Sequence, residues 1–135
     1  ASERRVVLTQ YDADQLPQLL ARVAERTPDA PTALFLIGGE DECVTLTGTL
    51  APQAGIRIPD DLSLVSFNST AKSAFAPVPV TSVYQPLGDI GAKAVQIAAE
   101  FLDRKSTDDE TRTGSVVILP VRLDVRASTA KPPLR

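Results

Sequence analysis

The chain alternates between two hydrophobic patterns, one typical of buried strands and the other of amphipathic helices. Short apolar or β-branched runs predict strands at 5–9, 32–37, 62–67, 80–84, 116–119 and 121–125. Apolar residues at helical spacing predict helices from 14 to 27 and from 86 to about 105, with polar loops at 68–72 and 106–114. The run at 32–37 is continuous, which indicates a strand buried on both faces of a parallel sheet. This order of elements predicts a layered α/β fold.

Proline and acidic residues mark the ends of the first predicted helix. Pro17 fits only the first turn of a helix, so Asp14 rather than Asp12 is the expected N-cap. The helix should end near Thr27, because that residue precedes a proline and is pushed out of the α-helical region.

The segment 41–54 carries both patterns. Apolar residues from Cys43 to Ala54 can line one face of a helix, whereas residues 44–50 alternate as in a strand. The β-branched residues of this segment favour a strand. Two neighbouring parallel strands, however, need a crossover of at least about a dozen residues, which is usually helical. We therefore predict a helix at 41–54.

Composition narrows the functional classes. The chain has 135 residues, of which 43% are hydrophobic and 23% charged, as expected for one globular domain or part of one. No apolar run approaches the roughly 20 residues that cross a bilayer, so we expect no membrane span. With no histidine and a single cysteine, Cys43, the chain lacks the usual general base, zinc ligands and disulfide framework. We expect no catalytic residue, no metal site and no cofactor, and we expect Cys43 to be a small core residue.

Charge and the start of the chain bear on its partners. The net charge is −3, so no general basic field attracts a DNA backbone. The chain contains no methionine and starts at Ala1 without a targeting segment. We expect it to be a piece of a longer polypeptide.

Four blocks of sequence, covering about residues 27–129 in order, resemble the lac repressor family of bacterial transcription regulators. The block at 55–68, GIRIPDDLSLVSFN, resembles the family's G-x-x-[VI]-P-x-D-[IL]-S-[VL]-V-G-F-D. The block at 79–86, PVTSVYQP, resembles P-x-L-T-T-[VI]-x-Q-P. Gly91 and Ala94 match the G-x-x-A of the following helix, and LPVRLDVRAST at 119–129 resembles the closing L-P-x-x-L-x-x-R-x-S-T.

The resemblance implies a partial periplasmic binding protein-like type I fold, mostly the C-terminal subdomain of a two-subdomain sensor. Residues 1–129 would be the C-terminal portion of an effector-binding and dimerisation domain, and 130–135 a tail. The helix-turn-helix headpiece and most of the N-terminal subdomain are expected to lie outside this chain. In the family the helix near 14–26, the helix near 41–54 and the loop near 70–79 carry the dimer contact, so the resemblance implies a homodimer.

The resemblance also implies a site for a sugar or related effector, in the crevice where parallel strands end. Asn68 stands where the family has a ligand-binding Asp, and this amide is a weaker partner for a hydroxyl donor or a cation than a carboxylate would be. Gln85 matches the cleft-lining Gln of the family, and Leu87 and Ile90 match its apolar lining. A turn residue at the end of a strand is the alternative role for Asn68.

Two further positions are less clearly matched. Tyr11 or Asp12 falls near the family's stacking aromatic residue, and a Tyr11 that only packs in the core is the alternative. The family's N-D pair after the strand at 32–37 is missing, and Glu40 or Asp41 could replace it, although a helix cap is the simpler role for Asp41.

The function that follows from the resemblance is effector sensing in a cytoplasmic bacterial regulator, in which operator DNA is contacted only through the headpiece. The alternative is a fragment of a periplasmic solute-binding protein for sugar uptake. The closing block at 119–129 favours the regulator, because this block is characteristic of the repressors.

Overall fold

The computed structural model describes residues 15–37, 39–103 and 116–133. The elements in chain order are α1 (Leu16–Ala24), β1 (Ala33–Leu36), α2 (Glu40–Thr45), a π-helical segment (Leu46–Leu50), α3 (Ala51–Gln53), β2 (Ser63–Phe67), α4 (Ala71–Ala74), β3 (Thr81–Tyr84), α5 (Leu87–Asp103) and β4 (Arg122–Asp124). The strand predicted at 5–9 and the loop predicted at 106–114 lie outside the described residues.

One sheet organises the described part of the chain. Its strand order is β1-β2-β3-β4, with the first three strands parallel and β4 antiparallel to β3. Leu36 is in register with Ser66, Ser66 with Ser82, and Ser82 with Asp124. The predicted α/β fold with a mainly parallel sheet is confirmed.

The core lies on one side of this sheet. Leu36 and Leu64 point to that side from β1 and β2, and both are buried. The core also contains Leu20 of α1, together with Cys43 and Leu46 of the helical segment that follows β1. Cys43 is fully buried, as predicted, and this burial raises the pKa of its thiol.

The other side of the sheet is partly open, and here the prediction for 32–37 was wrong. Phe35 is 48% exposed, so β1 is buried on one face only. Phe35 contacts Phe67 edge to face, with ring centroids 6.4 Å apart. The described helices bury Leu36 and leave the side of Phe35 exposed, and a pattern of apolar residues alone does not show which faces are covered.

The ambiguous segment after β1 is helical from Glu40 to Gln53, which confirms the topological argument over β propensity. The π-helical stretch precedes Pro52, which lacks an N–H and whose ring would clash with the carbonyl of Gly48 in a regular helix. Gly55 ends the segment with φ of +69°, a conformation that favours glycine, and the N–H of Ile56 donates to the carbonyl of Ala51 over 2.8 Å.

Several predicted boundaries were wrong. The N-cap of α1 is Gln15 rather than Asp14, which lies outside the described residues. The N-cap of α2 is Gly39, so Asp41 is not a cap but the second residue of the helix. Part of the loop predicted at 68–72 belongs to α4, whose first turn is held by a hydrogen bond from Thr70 N–H to Ser73 Oγ.

The strand predicted at 116–119 is absent from the sheet, and only Arg122–Asp124 of the stretch 121–125 pairs with β3. Arg122 is in register with Tyr84, the last residue of β3. Residues before Arg122 would need partners beyond Tyr84, where the chain turns into α5. The apolar pattern of 116–119 was correct for an extended segment but could not show that no neighbouring strand is available.

Candidate functional site

Two side-chain amides meet at the edge where the parallel strands end. Asn68 directly follows β2, and Gln85 directly follows β3. Because β2 and β3 are parallel neighbours, their carboxyl ends lie together, and Gln85 Nε2 donates to Asn68 Oδ1 over 2.6 Å. We call these two residues the amide pair. Predicted from separate blocks of sequence, they are brought together by the sheet.

The backbone of Asn68 explains its position. Its φ is +71°, in the left-handed region that Asn tolerates better than most residues, and its N–H donates to the carbonyl of Val83 over 3.0 Å. Asn68 is therefore the turn residue that the alternative interpretation predicted. The same turn aims its amide at Gln85.

Each member of the amide pair keeps hydrogen-bonding capacity. Within the described residues, Asn68 Nδ2 and Gln85 Oε1 make no hydrogen bond, and both side chains are half-buried. The hydrogen bond between them fixes their orientation and leaves one donor and one acceptor side by side. This arrangement suits a ligand with adjacent hydroxyl groups.

The other predicted site residues are dispersed. Leu87 and Ile90 lie in the first turn of α5, directly after Gln85 and Pro86, and are 58% and 40% exposed. Asp41 lies at the start of α2, near the carboxyl end of β1, but its carboxylate accepts a hydrogen bond from Lys72 Nζ over 2.7 Å. Tyr11 lies outside the described residues.

A polar network beside the amide pair was not singled out from the sequence. Ser69 Oγ donates to Asp124 Oδ2 over 2.6 Å, and Arg126 Nη2 donates to Ser69 Oγ over 2.6 Å. Arg126 Nη1 also donates to the carbonyl of Val80 over 2.6 Å. The hydrogen bond from Ser69, followed by that from Arg122, holds the pKa of Asp124 below its ordinary value. Arg126 belongs to the closing block, and this block was the feature of the sequence that could have indicated the network.

Arg122 extends this network to the edge of the sheet at which β3 ends. Its guanidinium carbon lies 3.6 Å from the centroid of the Tyr84 ring, and its Nε donates to Asp124 Oδ1 over 2.8 Å. The hydrogen bond to Asp124 is the main reason that the pKa of Arg122 is raised. The cation–π contact depends on the register of β3 and β4, so no local pattern predicts it.

The closing block ties the site strands together from the other end. Ser128 is fully buried, its Oγ accepts from the N–H of Thr81 over 2.8 Å, and it donates to the carbonyl of Leu64. Thr81 Oγ1 in turn accepts from the N–H of Arg126 over 2.9 Å. Through these hydrogen bonds, the R-x-S part of the closing block joins β2 and β3.

Other candidate sites are weaker. A surface cavity of about 390 Å³ is lined by Thr47, Ala51, Pro52, Gly55, Ile56, Arg57, Ile58 and Val78. Since Ile58 precedes β2, this cavity lies near the amino end of that strand, away from Asn68. In the described part of the chain, no group of three or more His, Cys, Asp or Glu side chains could hold a metal ion. None of the described helices is long and apolar enough to cross a membrane.

Sequence comparison extends the resemblance over most of the chain. A model of the periplasmic binding protein-like domain family matches residues 2–129. Catabolite control protein A of Priestia megaterium is 34% identical over 101 residues, which are 75% of this chain and 28% of that protein. The HTH-type transcriptional regulator DegA of Bacillus subtilis is 28% identical over 128 residues, which are 95% of this chain and 35% of that protein. The chain spans about a third of the length of these relatives.

Solved structures show the same fold. A LacI family transcriptional regulator from Lactobacillus casei with bound sucrose gives a TM-score of 0.64 at 21% identity, covering 92% of this chain and 46% of that chain. The lac repressor dimer bound to operator and the anti-inducer ONPF gives a TM-score of 0.63 at 20% identity, covering 84% of this chain and 36% of that chain.

Proposed function

Because this chain belongs to the periplasmic binding protein-like domain family, we propose that it is the effector-sensing and dimerisation portion of a bacterial LacI-family transcriptional regulator. A small sugar-like molecule binds between two subdomains and changes DNA binding by a helix-turn-helix headpiece outside this chain. The regulator acts in the cytoplasm, without catalysis and without a metal or other cofactor. Differential affinity of the effector for two subdomain arrangements supplies the coupling.

The amide pair carries this proposal. It lies at the carboxyl edge of a parallel sheet, which is where open α/β sheets place their ligands, and it presents a free donor and a free acceptor among the described residues. Leu87 and Ile90 offer apolar surface directly after Gln85. We propose that Asn68, Gln85, Leu87 and Ile90 bind the effector, with Tyr11 and Asp41 as further contacts.

Exposed apolar surface supports a second subdomain. Val95 and Leu102 of α5 are 70% and 81% exposed, and Val116 and Ile118 of the following extended segment are 85% and 89% exposed. Large exposed apolar side chains in such number mark a surface that another unit covers. An N-terminal subdomain outside this chain accounts for them, and it would supply the second wall of the crevice.

The solved neighbours support the choice of ligand and partners. The neighbour from Lactobacillus casei holds sucrose, and the lac repressor is a dimer bound to operator. The regulators among the relatives favour this function over a periplasmic solute-binding protein for sugar uptake. In this chain we propose that α1, the helical segment 40–53 and the loop near 70–79 form the homodimer contact.

Calorimetric titration of the complete regulator tests the site. After a thermal-shift screen of sugars, nucleosides and polyols identifies an effector, Asn68→Ala and Gln85→Ala should each weaken binding by about tenfold, the cost of one or two hydrogen bonds. Gln96→Ala is the matched control, since Gln96 is an exposed residue of α5 whose amide is bonded to Lys93 and Glu100, and the affinity of this variant should not change. Unaltered affinity of both amide-pair variants would contradict the proposed site.

Light scattering tests the proposed dimer. A homodimer should persist in concentrated solutions of the complete regulator, and a clean monomer would count against the proposed contact.

This chain alone should bind effector far more weakly than the complete regulator, because a pocket normally buries most of a small ligand and one wall is outside the chain.

A further inference from the structure

Arg122 is placed by β4 at the same edge as the amide pair. β4 runs antiparallel to β3, so its first residue lies beside the last residue of β3, in the register Arg122 to Tyr84. Tyr84 precedes Gln85, and Gln85 is bonded to Asn68. Three neighbouring strands therefore contribute Asn68, Gln85 and Arg122 to one edge of the sheet.

The Arg122 side chain is held in place while its charged end stays accessible. It stacks 3.6 Å from the centroid of the Tyr84 ring, and its Nε is bonded to Asp124, whose other oxygen is bonded to Ser69. The side chain is nevertheless 63% exposed, and the partners of its guanidinium within the described residues are Asp124 and Tyr84. A guanidinium has five N–H donors, so one that is held by two partners on one side is still suited to paired hydrogen bonds with a carboxylate or phosphate.

The charge directly beside Arg122 is favourable for an anion, whereas the first turn of α2, at the β1 end of this edge, carries Glu40 and Glu42 in addition to Asp41. Asp124 is shared between Arg122 and Arg126, which leaves one net positive charge in the network. Asn68 is uncharged where the resembled motif has a carboxylate, so a repulsive group is missing from the amide pair. Asp41 is paired with Lys72, and Asp89 lies at the positive end of the α5 dipole.

We infer that the effector carries an anionic group, and that Arg122, held on the Tyr84 ring at the crevice edge, is the residue that selects it. The ligand class is a sugar bearing a phosphate or a carboxylate. The inference rests on the proposed function, because it assigns a charge to the effector of the same crevice. Asn68 and Gln85 bind the hydroxyl groups, and Arg122 binds the anion.

The test is calorimetry on the complete regulator with matched trios of ligands: a neutral sugar, its phosphate and its uronic acid, across common hexoses and pentoses. At least one anionic member should bind about tenfold or more tighter than its neutral counterpart, a typical gain for a charge-assisted hydrogen bond. The phosphate and uronic acid arms distinguish the two sources of negative charge. The preference should weaken as salt is raised, because Arg122 is exposed.

Three variants make the assignment specific. Arg122→Gln should equalise the affinities for the neutral and anionic sugars, and Arg122→Lys should retain only part of the preference. Asn68→Asp adds a carboxylate and should weaken the anionic sugar more than the neutral one. Arg57→Gln is the matched control and should leave the preference for the anionic sugar unchanged. Arg57 is 64% exposed and is also bonded through Nε to an aspartate over 2.8 Å, but it precedes β2 and so lies away from the edge where the strand ends.

The outcomes separate the two proposals. Binding of a neutral sugar as tight as that of its anionic counterparts overturns the role of Arg122 and leaves the effector site intact. An anion preference that survives in Arg122→Gln also overturns it. If no sugar or sugar derivative binds in the wild-type regulator, the proposed function itself fails. Circular dichroism confirms that each variant is folded, and Asn68→Asp remains informative if the Arg122 variants are not.

Discussion

Replacing Ser128 by alanine tests whether the closing block holds β2 and β3 together. The Ser128 hydroxyl is fully buried, accepts from the N–H of Thr81 and donates to the carbonyl of Leu64. Alanine removes both hydrogen bonds and leaves the Thr81 N–H without its partner in a place that water does not reach, since Thr81 is 2% exposed. The mutation adds no steric strain, because alanine is smaller than serine.

The expected loss follows from these two bonds. An unsatisfied buried donor costs about 1–3 kcal/mol, and the lost bond to Leu64 adds about 1 kcal/mol, so Ser128→Ala should lower the free energy of unfolding by about 2–4 kcal/mol. Urea unfolding of the chain, followed by far-ultraviolet circular dichroism, measures the difference from the shift in midpoint.

A matched surface substitution gives the baseline for this measurement. Gln96 is exposed in α5, so Gln96→Ala should change stability by less than about 0.5 kcal/mol. If Ser128→Ala is no more destabilising than Gln96→Ala, the hydroxyl does not hold the strands together, and our account of the closing block is incorrect.

Two further predictions concern stability. The pKa of Asp61 is lowered to about 2, chiefly by the hydrogen bond from Arg57. The ionised Asp61 therefore contributes to the free energy of unfolding above the unfolded pKa of about 4, and this contribution is lost as the pH falls through about 2. The contribution is at most about 2 kcal/mol, since solvent screens the exposed Arg57. Measuring the free energy of unfolding as the pH is lowered should show this loss. Asp61→Asn should remove the pH dependence, whereas Asp60→Asn, at the exposed neighbouring position, should have no effect. Leu46 is fully buried in the core, so Leu46→Ala should cost about 2–5 kcal/mol in the urea assay. Val95→Ala, at a 70% exposed position, should cost little, and similar losses for both variants would contradict the described core.

The helices show how far local pattern predicts structure. The apolar stripes of α1 and α5 predicted their existence and approximate ends, because helical spacing places such residues on one face. The segment 40–53 needed a further argument, since its β-branched residues favour a strand and only the connection between parallel β1 and β2 requires a helix. The π-helical stretch before Pro52 was not predicted from the sequence, because it depends on how the backbone accommodates the proline ring.

The site shows a different limit. Asn68 and Gln85 were predicted from blocks that resemble a family, and the parallel pairing of β2 and β3 joins them. Asp41 was also a candidate, but its contact with Lys72 connects two helices that are separated in sequence. The contact of Arg122 with Tyr84 likewise requires the register of two strands. Residues in a motif can therefore be named without knowing which side chains they meet.

The sequence by itself determined the class of fold, the positions of most strands and helices, the family and Asn68 and Gln85 as candidate residues, because hydrophobic spacing and motifs are local properties. Only the tertiary structure decided that one side of β1 is exposed, that 116–119 forms no strand, and that Arg122 stacks on Tyr84. Each of these depends on what lies across a sheet or beyond the end of a strand. Such long-range pairing is set by the packing of the whole chain, and no short segment of the sequence contains that information.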